Sequence, residues 1–346
     1  MSQMTARRQT PTMNELELLR RIRHRANRGN GGRGALRLGI GDDCALLRVK
    51  PNEEVSITTD LSVEGRHFRL GTHPPEAVGH RTIVRGLSDL AAMGARPLAA
   101  FLSLGVPAQL TSSRGRGKPW IERFYDGLLA AAQAHETPLG GGDLAATEFA
   151  VADIVLAGAA PKGRALLRSG ARPGDVLYVT GTLGGAAVGF QQLTALAKKE
   201  SGRPVRIPKR LEAILRPHLY PQARIPQGLW LRSRGMATAA IDISDGLSTD
   251  LAHLCEESDV AAEVEAGALP VATGATLDQA LHGGEDYELL FTARRGARLP
   301  RTIGGVPVVR IGRIVPRRSG TPMVVLSTAG GVQTLKPQGW EHFSKR

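Results

Sequence analysis

Cysteines, aromatic residues and long apolar runs are all scarce in this chain of 346 residues. Its two cysteines, Cys44 and Cys255, stand far apart and outside any metal-ligand spacing, which argues against a disulfide framework and a zinc site. No stretch approaches the roughly 20 apolar residues of a membrane span, and the amino terminus lacks the apolar centre of a secretory signal. We therefore expect a cytoplasmic protein without a membrane partner.

The motifs of the commonest nucleotide-binding folds and of serine hydrolases are missing as well. There is no GxxxxGK(S/T) loop, and the stretch TGTLGG that begins at Thr180 is only a glycine-rich turn between a strand and a helix. Ser88, Ser244 and His67 are available for a hydrolase, but no GxSxG turn presents a nucleophile. The sequence therefore supports neither the commonest nucleotide-binding folds nor hydrolase chemistry.

The chain carries a surplus of positive charge. Lysine and arginine outnumber aspartate and glutamate by 45 to 32, which gives a formal net charge of +13. Such a surplus attracts polyanions, so a basic nucleic-acid-binding protein is one alternative. That function would need basic residues on one face with stacking aromatics, whereas the arginines are scattered and aromatics make up 4%. We expect a solvated basic surface and no nucleic-acid partner.

The order of apolar runs and glycine corners predicts an α/β protein of two unlike domains, residues 1–160 and 161–346. Hydrophobic residues make up 42% of the chain, enough for two cores. A first helix is expected after a cap at Asn14, and a second one from Pro74 to Ala92. Loops are expected at 28–34 and 112–118, and the GGGD that follows Leu139 is interpreted as a turn. Further strands are expected at 98–106, 149–160 and 175–180, and further helices at 121–133 and Leu247–Glu257.

Carboxylates recur at the ends of the predicted elements. The stretch at residues 38–47 reads LGIGDDCALL, and its adjacent aspartates repel each other unless a cation or a hydrogen-bond donor takes up the charge. Further acids, most of them directly beside Gly, Ser or Thr, stand at Asp60, Glu64, Asp89, Asp143, Asp242, Asp245, Glu285 and Asp286. Because Mg²⁺ prefers oxygen ligands and offsets phosphate charge, we expect these acids to converge on a phosphoryl-transfer site.

Two simpler interpretations of these acids stay open at this point. Asp89 and Asp250 can each be an ordinary cap at the start of a helix. Asp42 and Asp43 can form a turn with solvated carboxylates.

Seven segments together resemble the thiamine-monophosphate kinase family, of the superfamily that includes aminoimidazole ribonucleotide synthetase and selenophosphate synthetase. They occur in order: LGIGDDCALL, ITTDLSVEGRHF, LSDLAAMGARP, GGGD, GRALLRSGARPGDVLYVTGTLG, AIDISDGLSTDL and LHGGEDYELLFT. The resemblance implies ATP-dependent phosphorylation of thiamine monophosphate to thiamine diphosphate with Mg²⁺. It also implies a two-domain synthetase-like fold, in which a mixed amino-terminal sheet pairs across a homodimer and an α/β domain follows.

The resemblance also assigns roles to residues, position by position. Metal ligands are expected at Asp43, Thr58, Thr59, Asp60, Asp89, Asp143, Asp242 and Asp245. Among these, the catalytic set is Asp43, Asp60, Asp89, Asp143 and Asp242. Contacts with ATP are expected from Tyr125, Gly142, Asp143, Arg168 and Ser244. Substrate contacts are expected from His67, Glu285 and Trp340, whose ring would stack on a heterocycle.

Some departures from the family pattern bear on the choice within the superfamily. Leu144 and Ala145 follow Asp143 where the family usually has two threonines. No reactive Cys or Lys precedes Asp42 in a glycine-rich segment, which disfavours selenophosphate synthetase, and the carboxy-terminal cysteine of the hydrogenase-maturation relative is missing. An aminoimidazole ribonucleotide synthetase remains the closest alternative.

The expected acceptor explains why no strong base is sought. A phosphate monoester is already anionic near neutral pH, because its second ionisation has a pKa of about 6. The main obstacle is then repulsion between two phosphates, which carboxylate-bound cations lower while they align the reacting atoms. We therefore expect direct in-line transfer without a phosphoenzyme.

Overall fold

The computed structural model describes residues 15–27, 34–112, 117–200 and 205–340. The expected cap at Asn14 and most of the expected loops at 28–34 and 112–118 lie outside these residues. The first half of the described chain contains three helices and a four-stranded sheet beside a small two-stranded one. Its elements are α1 Glu15–Asn27, β1 Leu36–Leu38, β2 Leu46–Leu47, β3 Glu53–Val63, α2 Pro75–Ala92, β4 Arg96–Val106, α3 Trp120–Ala134, β5 Leu139–Ala146 and β6 Val151–Pro161.

The four-stranded sheet has the order β3-β6-β4-β5, with only the β4–β5 pair parallel. Alternation along β3 places Thr58 and Asp60 on one face and Ile57, Thr59 and Leu61 on the other. The helix α2 covers the first face, where Gly86 allows a close approach: an added Cβ would lie 2.7 Å from a Leu156 methyl group. The second face leaves Ile57 69% and Leu61 52% exposed.

The second half is built on a larger mixed sheet whose order is β14-β13-β9-β12-β7-β10-β8, with β11 paired to β12. Its core is made mainly of Leu, Ile, Val and Ala side chains from the sheet and from two flanking helices. The elements are β7 Val176–Thr180, α4 Gly185–Lys199, α5 Lys209–Leu219, α6 Ile225–Ser233, β8 Ala239–Asp242, α7 Leu247–Glu257, β9 Val260–Glu265, α8 Leu277–His282, β10 Leu289–Ala293, β11 Thr302–Ile303, β12 Val306–Pro316, β13 Val324–Thr328 and β14 Gly331–Thr334.

Most predicted elements are present, and one is wrong. Both α2 and α7 end where the sequence predicts, and α2 has its proline in the first turn. The GGGD segment, however, belongs to β5 rather than to a turn. Glycine is needed there because β5 lies against β4: a Cβ at Gly142 would lie 1.8 Å from the Leu102 carbonyl oxygen. Asp89 lies in the last turn of α2, so the interpretation as a helix-start cap is wrong for this residue.

Among the described residues, no helix combines the length and the apolar character needed to cross a membrane.

Candidate active site

Three of the predicted acids, Asp60, Asp89 and Asp242, gather where α2 meets the ends of β3 and β8. We call them the interior carboxylates. Burial, followed by the charge of Asp89, raises the pKa of Asp60 to about 6 and that of Asp242 to about 7. Burial also raises the pKa of Asp89. These mutual effects show that the carboxylates share one low-dielectric site.

Hydroxyl groups hold two of the interior carboxylates in place. The Thr58 Oγ1–H donates to Asp89 Oδ2. The Ser88 Oγ–H donates to Asp242 Oδ2 at 2.6 Å, and both Ser88 and Asp242 are buried. Because α2 supplies both Ser88 and Asp89, one helix turn fixes two acids from different halves of the chain.

Two arginines face the interior carboxylates. Arg85, one helical turn before Asp89 on α2, places Nε 3.4 Å from Asp60 Oδ1. The positive charge of Arg168 lowers the pKa of Asp89 and of Asp242 against the effect of burial. Arg168 is itself exposed, and the backbone beside it is anchored to β8. Because the Arg168 guanidinium lies near the acids and is also open to solvent, it can contact an anionic ligand there.

The turn between β8 and α7 carries Ser244 and Asp245 next to the interior carboxylates. The Asp250 carboxylate accepts hydrogen bonds from the backbone N–H of Asp245 at 3.1 Å and of Gly246 at 3.0 Å. Asp250 is therefore not the N-cap of α7, which is Gly246, but it lies in the first turn of the helix and binds the backbone N–H groups that precede it. The Ser244 carbonyl accepts from the N–H of Glu285 at 2.7 Å, so the turn also fixes that residue.

A cleft of about 950 Å³ opens beside this turn. Asp245, Thr249, Gly284 and Trp340 contribute to its lining. The Trp340 N–H donates to the Asp245 carbonyl at 3.1 Å, and the residue is 43% exposed. An expected metal ligand and an expected substrate contact thus line one cleft, and Gly284 directly precedes another expected substrate contact.

Arg81 joins the two remaining substrate candidates, Glu285 and His67. Its Nη2 lies 2.5 Å from Glu285 Oε1 and 3.3 Å from the His67 carbonyl oxygen. Burial alone would raise the pKa of Glu285, but the charge of Arg81 and a hydrogen bond from His218 hold it well below its usual range. Glu285 also adopts a positive φ of 68°, a conformation that non-glycine residues seldom adopt outside sites that the surrounding structure over-determines.

Other predicted ligands lie apart from this group. Asp43 and Asp143 are exposed, and no hydrogen bond or ion pair between described residues joins either one to the interior carboxylates. The Asp43 N–H donates to Asp42 Oδ1 at 2.9 Å, as in an ordinary turn. A guanidinium lies near that turn, because a Cβ added to Gly41 would lie 2.4 Å from Arg23 Cζ.

Two further candidates are placed away from the interior carboxylates by the geometry of the first half. The Thr59 side chain is on the sheet face opposite Asp60. Tyr125 is buried on α3, and burial raises its pKa. Its neighbour Phe124 presses its carbonyl against Gly79 of α2, ten residues before Asp89, which corresponds to about 15 Å along the helix.

The donor set fits a hard cation, although it is not assembled as a metal centre. In the described part of the chain, no group of three or more His, Cys, Asp or Glu side chains is arranged to hold a metal ion. Carboxylates with adjacent hydroxyl groups are nonetheless the oxygen donors that Mg²⁺ prefers. The metal-binding roles stay predictions.

Contacts with the predicted acids also come from residues for which the sequence predicts no such role, namely Arg81, Arg85, Ser88 and His218. One signal is present in the sequence, because Arg81, Arg85 and Asp89 recur every four residues along α2 and must share a face. Charged residues on the buried face of a helix indicate a polar site there. His218 carries no such signal, since it meets Glu285 only through the tertiary fold.

This chain is similar to known proteins in both sequence and structure. Models of the family "AIR synthase related protein" match this chain, the N-terminal domain at residues 41–161 and the C-terminal domain at 172–325. Thiamine-monophosphate kinase of Salmonella typhimurium is 39% identical and the alignment covers 88% of this chain and 92% of that protein. The Bacillus subtilis protein of the same name is 31% identical, with 88% and 93% covered.

Solved structures agree with the sequence matches. The crystal structure of thiamine-monophosphate kinase from Stenotrophomonas maltophilia superimposes with a TM-score of 0.74 at 35% identity, covering 91% of this chain and 96% of that chain. A structure described as AaThiL complexed with AMPPCP and TMP has a TM-score of 0.72 at 30% identity and covers 95% and 97%. The similarity therefore spans both halves of the chain.

Proposed function

The chain belongs to the thiamine-monophosphate kinase family, and from this premise we propose that it transfers the γ-phosphoryl group of ATP to thiamine monophosphate, forming thiamine diphosphate and ADP. The observation that carries the proposal is the match to kinases of that name along nearly the whole chain. It is supported by the related structure that holds AMPPCP and TMP together. ATP is thus the co-substrate, and thiamine monophosphate is the acceptor.

The interior carboxylates and the cleft divide the proposed site into two parts. We assign ATP to the side of Arg168 and Ser244, with Gly142, Asp143 and Tyr125 as the further predicted contacts. Arg168 supports this assignment because its exposed guanidinium can neutralise nucleotide phosphate beside the acids. Thiamine monophosphate is assigned to His67, Glu285 and Trp340, two of which Arg81 links.

We propose Mg²⁺ as the metal cofactor. Asp60, Asp89 and Asp242 would hold it, and Asp43, Asp143, Asp245, Thr58 and Thr59 are the other predicted ligands. When bound, the ion offsets the negative charge of the phosphates. The raised pKa values of Asp60 and Asp242 support this proposal, because carboxylates that repel one another gain most from a shared cation.

The residues of the chain then act by binding and alignment. Arg168 holds the nucleotide phosphates, while Glu285 and Trp340 orient the acceptor. No side chain needs to act as a strong general base, because the acceptor phosphate is already anionic near neutral pH. We propose direct in-line transfer, which predicts inversion at a chiral γ-phosphorus; retention would refute it.

A homodimer is the proposed assembly, formed through the open face of the four-stranded sheet. Val55, Ile57 and Leu61 lie on that face and are 48%, 69% and 52% exposed. An apolar sheet face of this kind is normally covered, and the family resemblance gives a second copy of the chain as its partner. Ile57→Asp would bury charge at such an interface, so light scattering should show a dimer for the wild type and a monomer for this variant.

The domain boundary between residues 160 and 161 remains a proposal, supported by the change of sheet between β6 and β7. A cytoplasmic location is supported by the two cysteines, both of which are free thiols.

One assay tests the function directly. The purified protein is incubated with thiamine monophosphate, ATP and Mg²⁺, and the product is identified by chromatography. Formation of thiamine diphosphate with one ADP per product supports the proposal. ATP turnover only with another acceptor would favour the alternative of a different superfamily enzyme. Absent ATP turnover, together with a salt-sensitive RNA gel shift, would favour a nucleic-acid-binding protein.

A further inference from the structure

Two buried histidines connect to Glu285, and neither has a role in the proposed transfer so far. His73 precedes α2 and is 4% exposed, and His218 in the last turn of α5 is 1% exposed. Their Nε2 atoms lie 3.1 Å apart, and His218 Nδ1 lies 3.3 Å from Glu285 Oε2. A continuous line of ring nitrogens therefore leads to a carboxylate that is an expected substrate contact.

The proton positions along this line follow from its one fixed donor. The Arg69 backbone N–H donates to His73 Nδ1 at 3.2 Å, so a neutral His73 carries its proton on Nε2. That N–H donates to His218 Nε2, which leaves the His218 proton on Nδ1, where it donates to Glu285. Arg81 Nη1 lies 3.2 Å from the same Nδ1 and donates instead to the His218 backbone carbonyl.

The surroundings keep both rings neutral and the carboxylate charged. Burial lowers the pKa of His73 to about 3, and burial together with the charge of Arg81 also lowers the pKa of His218. Arg81 Nη2 occupies the other oxygen of Glu285. Each oxygen of the carboxylate thus has its own donor, which fixes the rotation of the group.

Packing leaves the His218 ring little freedom to turn away. A Cβ added to Gly189 of α4 would lie 2.7 Å from His218 Cβ, so the two helices touch at this point. The ring of Phe190 lies 5.3 Å from the His218 ring. The His73 ring also lies 5.3 Å from the His218 ring and meets the His218 ring edge-on. The donor on Nδ1 is consequently held toward Glu285.

We propose that His73 and His218 are positioning residues that orient the Glu285 carboxylate, through a chain of hydrogen bonds, toward the cationic and N–H-bearing part of the substrate. This inference rests on the proposed function, because it takes Glu285 to contact thiamine monophosphate. The thiazolium ring of that substrate is positively charged and its aminopyrimidine carries N–H donors. A carboxylate held in one orientation binds such groups without first losing rotational freedom. The Glu285 side chain is 28% exposed and so remains open to a ligand.

Variants of His218 test this role, because two substitutions differ in the relevant donor. His218→Leu removes the N–H that faces Glu285, whereas His218→Asn keeps an N–H donor near the same place. We expect H218L to raise the KM for thiamine monophosphate about tenfold or more and the KM for ATP less than about twofold. We expect H218N to restore the KM for thiamine monophosphate to within about threefold of the wild-type value.

A matched control comes from a third histidine, His80, which lies on α2. His80 Nε2 lies 2.7 Å from the Pro221 carbonyl oxygen, and its ring meets Tyr220 edge-on, so it packs against the same region without contacting Glu285. His80→Leu should leave both KM values within about twofold of wild type. If H80L raises the KM for thiamine monophosphate as much as H218L does, the effect is general loosening and the proposal fails.

The remaining outcomes separate this inference from the proposed function. A folded H218L variant with an unchanged KM for thiamine monophosphate, or with both KM values raised together, overturns the positioning role. No turnover of thiamine monophosphate by the wild type would instead refute the proposed function. Long-range ¹H–¹⁵N spectra of the histidine-labelled wild-type protein need no variant to fold. They should show the Nδ1–H tautomer for His218 and the Nε2–H tautomer for His73, and the opposite pattern overturns the proposal.

Discussion

The five carboxylates expected to be catalytic fall into two groups that differ in burial. The interior carboxylates, Asp60, Asp89 and Asp242, lie together, and hydroxyl groups from Thr58 and Ser88 hold two of them. Asp43 and Asp143, the exposed carboxylates, lie at the surface, and each forms a hydrogen bond with an adjacent residue. The interior group is therefore already gathered in one site, whereas under the proposed function the exposed group would have to move toward the ligand.

The difference has opposite consequences for stability and for binding. Gathering like charges in a low-dielectric site destabilises the ligand-free protein, as the raised pKa values of Asp60 and Asp242 indicate. Exposed carboxylates add little such strain, but ordering them on a ligand loses conformational entropy. If the proposed function holds, the interior group is preorganised for the reaction at a cost in stability, whereas the exposed group costs little stability but has to be ordered on binding.

The largest expected effect comes from neutralising an interior carboxylate. Asp89→Asn keeps the shape of the side chain but removes a charge from the centre of the site, so kcat should fall by about 10³-fold or more. The melting temperature should stay the same or rise, because repulsion with Asp60 and Asp242 is relieved. Steady-state kinetics and calorimetry measure the two quantities.

The matched control for this variant is an exposed aspartate far from the acids. Asp259 has a side chain that is 87% exposed, and Asp259→Asn should change neither kcat nor the melting temperature appreciably. Near-normal turnover in D89N would show that the interior carboxylates are structural. A large fall in the melting temperature of D89N would show that this acid stabilises the fold rather than straining it.

A smaller loss is expected from the exposed group. Asp43→Asn should lower kcat by about 10²-fold, because solvent already screens part of the charge that is removed. Mg²⁺ and ATP together should slow amide hydrogen exchange around β1 and β2 in the wild type, since binding orders the loop between them. If D43N shows the same protection as the wild type, Asp43 takes no part in that ordering.

Trp340 resembles the exposed carboxylates, because it is only partly covered before a ligand binds. Trp340→Ala should raise the KM for thiamine monophosphate about tenfold, which corresponds to about 1.4 kcal/mol of lost stacking. Trp340→Phe keeps a ring and should stay within about threefold of wild type. Because the residue is 43% exposed, the melting temperature of both variants should be unchanged. Equal KM values for W340A and W340F would exclude stacking.

The same contrast explains what could be predicted from the sequence. α2 has a proline in its first turn and apolar residues at helical spacing, and both signals are local. The GGGD segment predicts a turn, because glycine usually indicates one. Only the contact between Gly142 and the Leu102 carbonyl shows that a strand needs glycine there.

Site residues divide in a similar way. The interior carboxylates stand in motifs, so the sequence indicates them, and their convergence could be expected from chemistry. The link between Arg81 and Glu285 joins residues 204 positions apart, and the pair of His73 and His218 spans 145 positions. No pattern within one segment carries information about such contacts, because tertiary packing creates them.

The smallest expected effect concerns the interior histidines and the pH dependence of stability. The pKa of His73 is lowered to about 3 by burial, whereas an unfolded histidine has a pKa of about 6.5. Below pH 6.5 the unfolded chain therefore binds a proton that the native state does not, so stability falls as the pH falls, by at most about 1.4 kcal/mol per pH unit for this residue.

His73→Gln keeps an N–H donor for His218 and removes this proton uptake. Between pH 7.5 and 5.5 its melting temperature should fall by roughly 1–3 °C less than that of the wild type. His253 is exposed, and His253→Gln serves as the control that should follow the wild type. If H73Q and the wild type lose the same number of degrees, His73 is not held neutral in the folded protein.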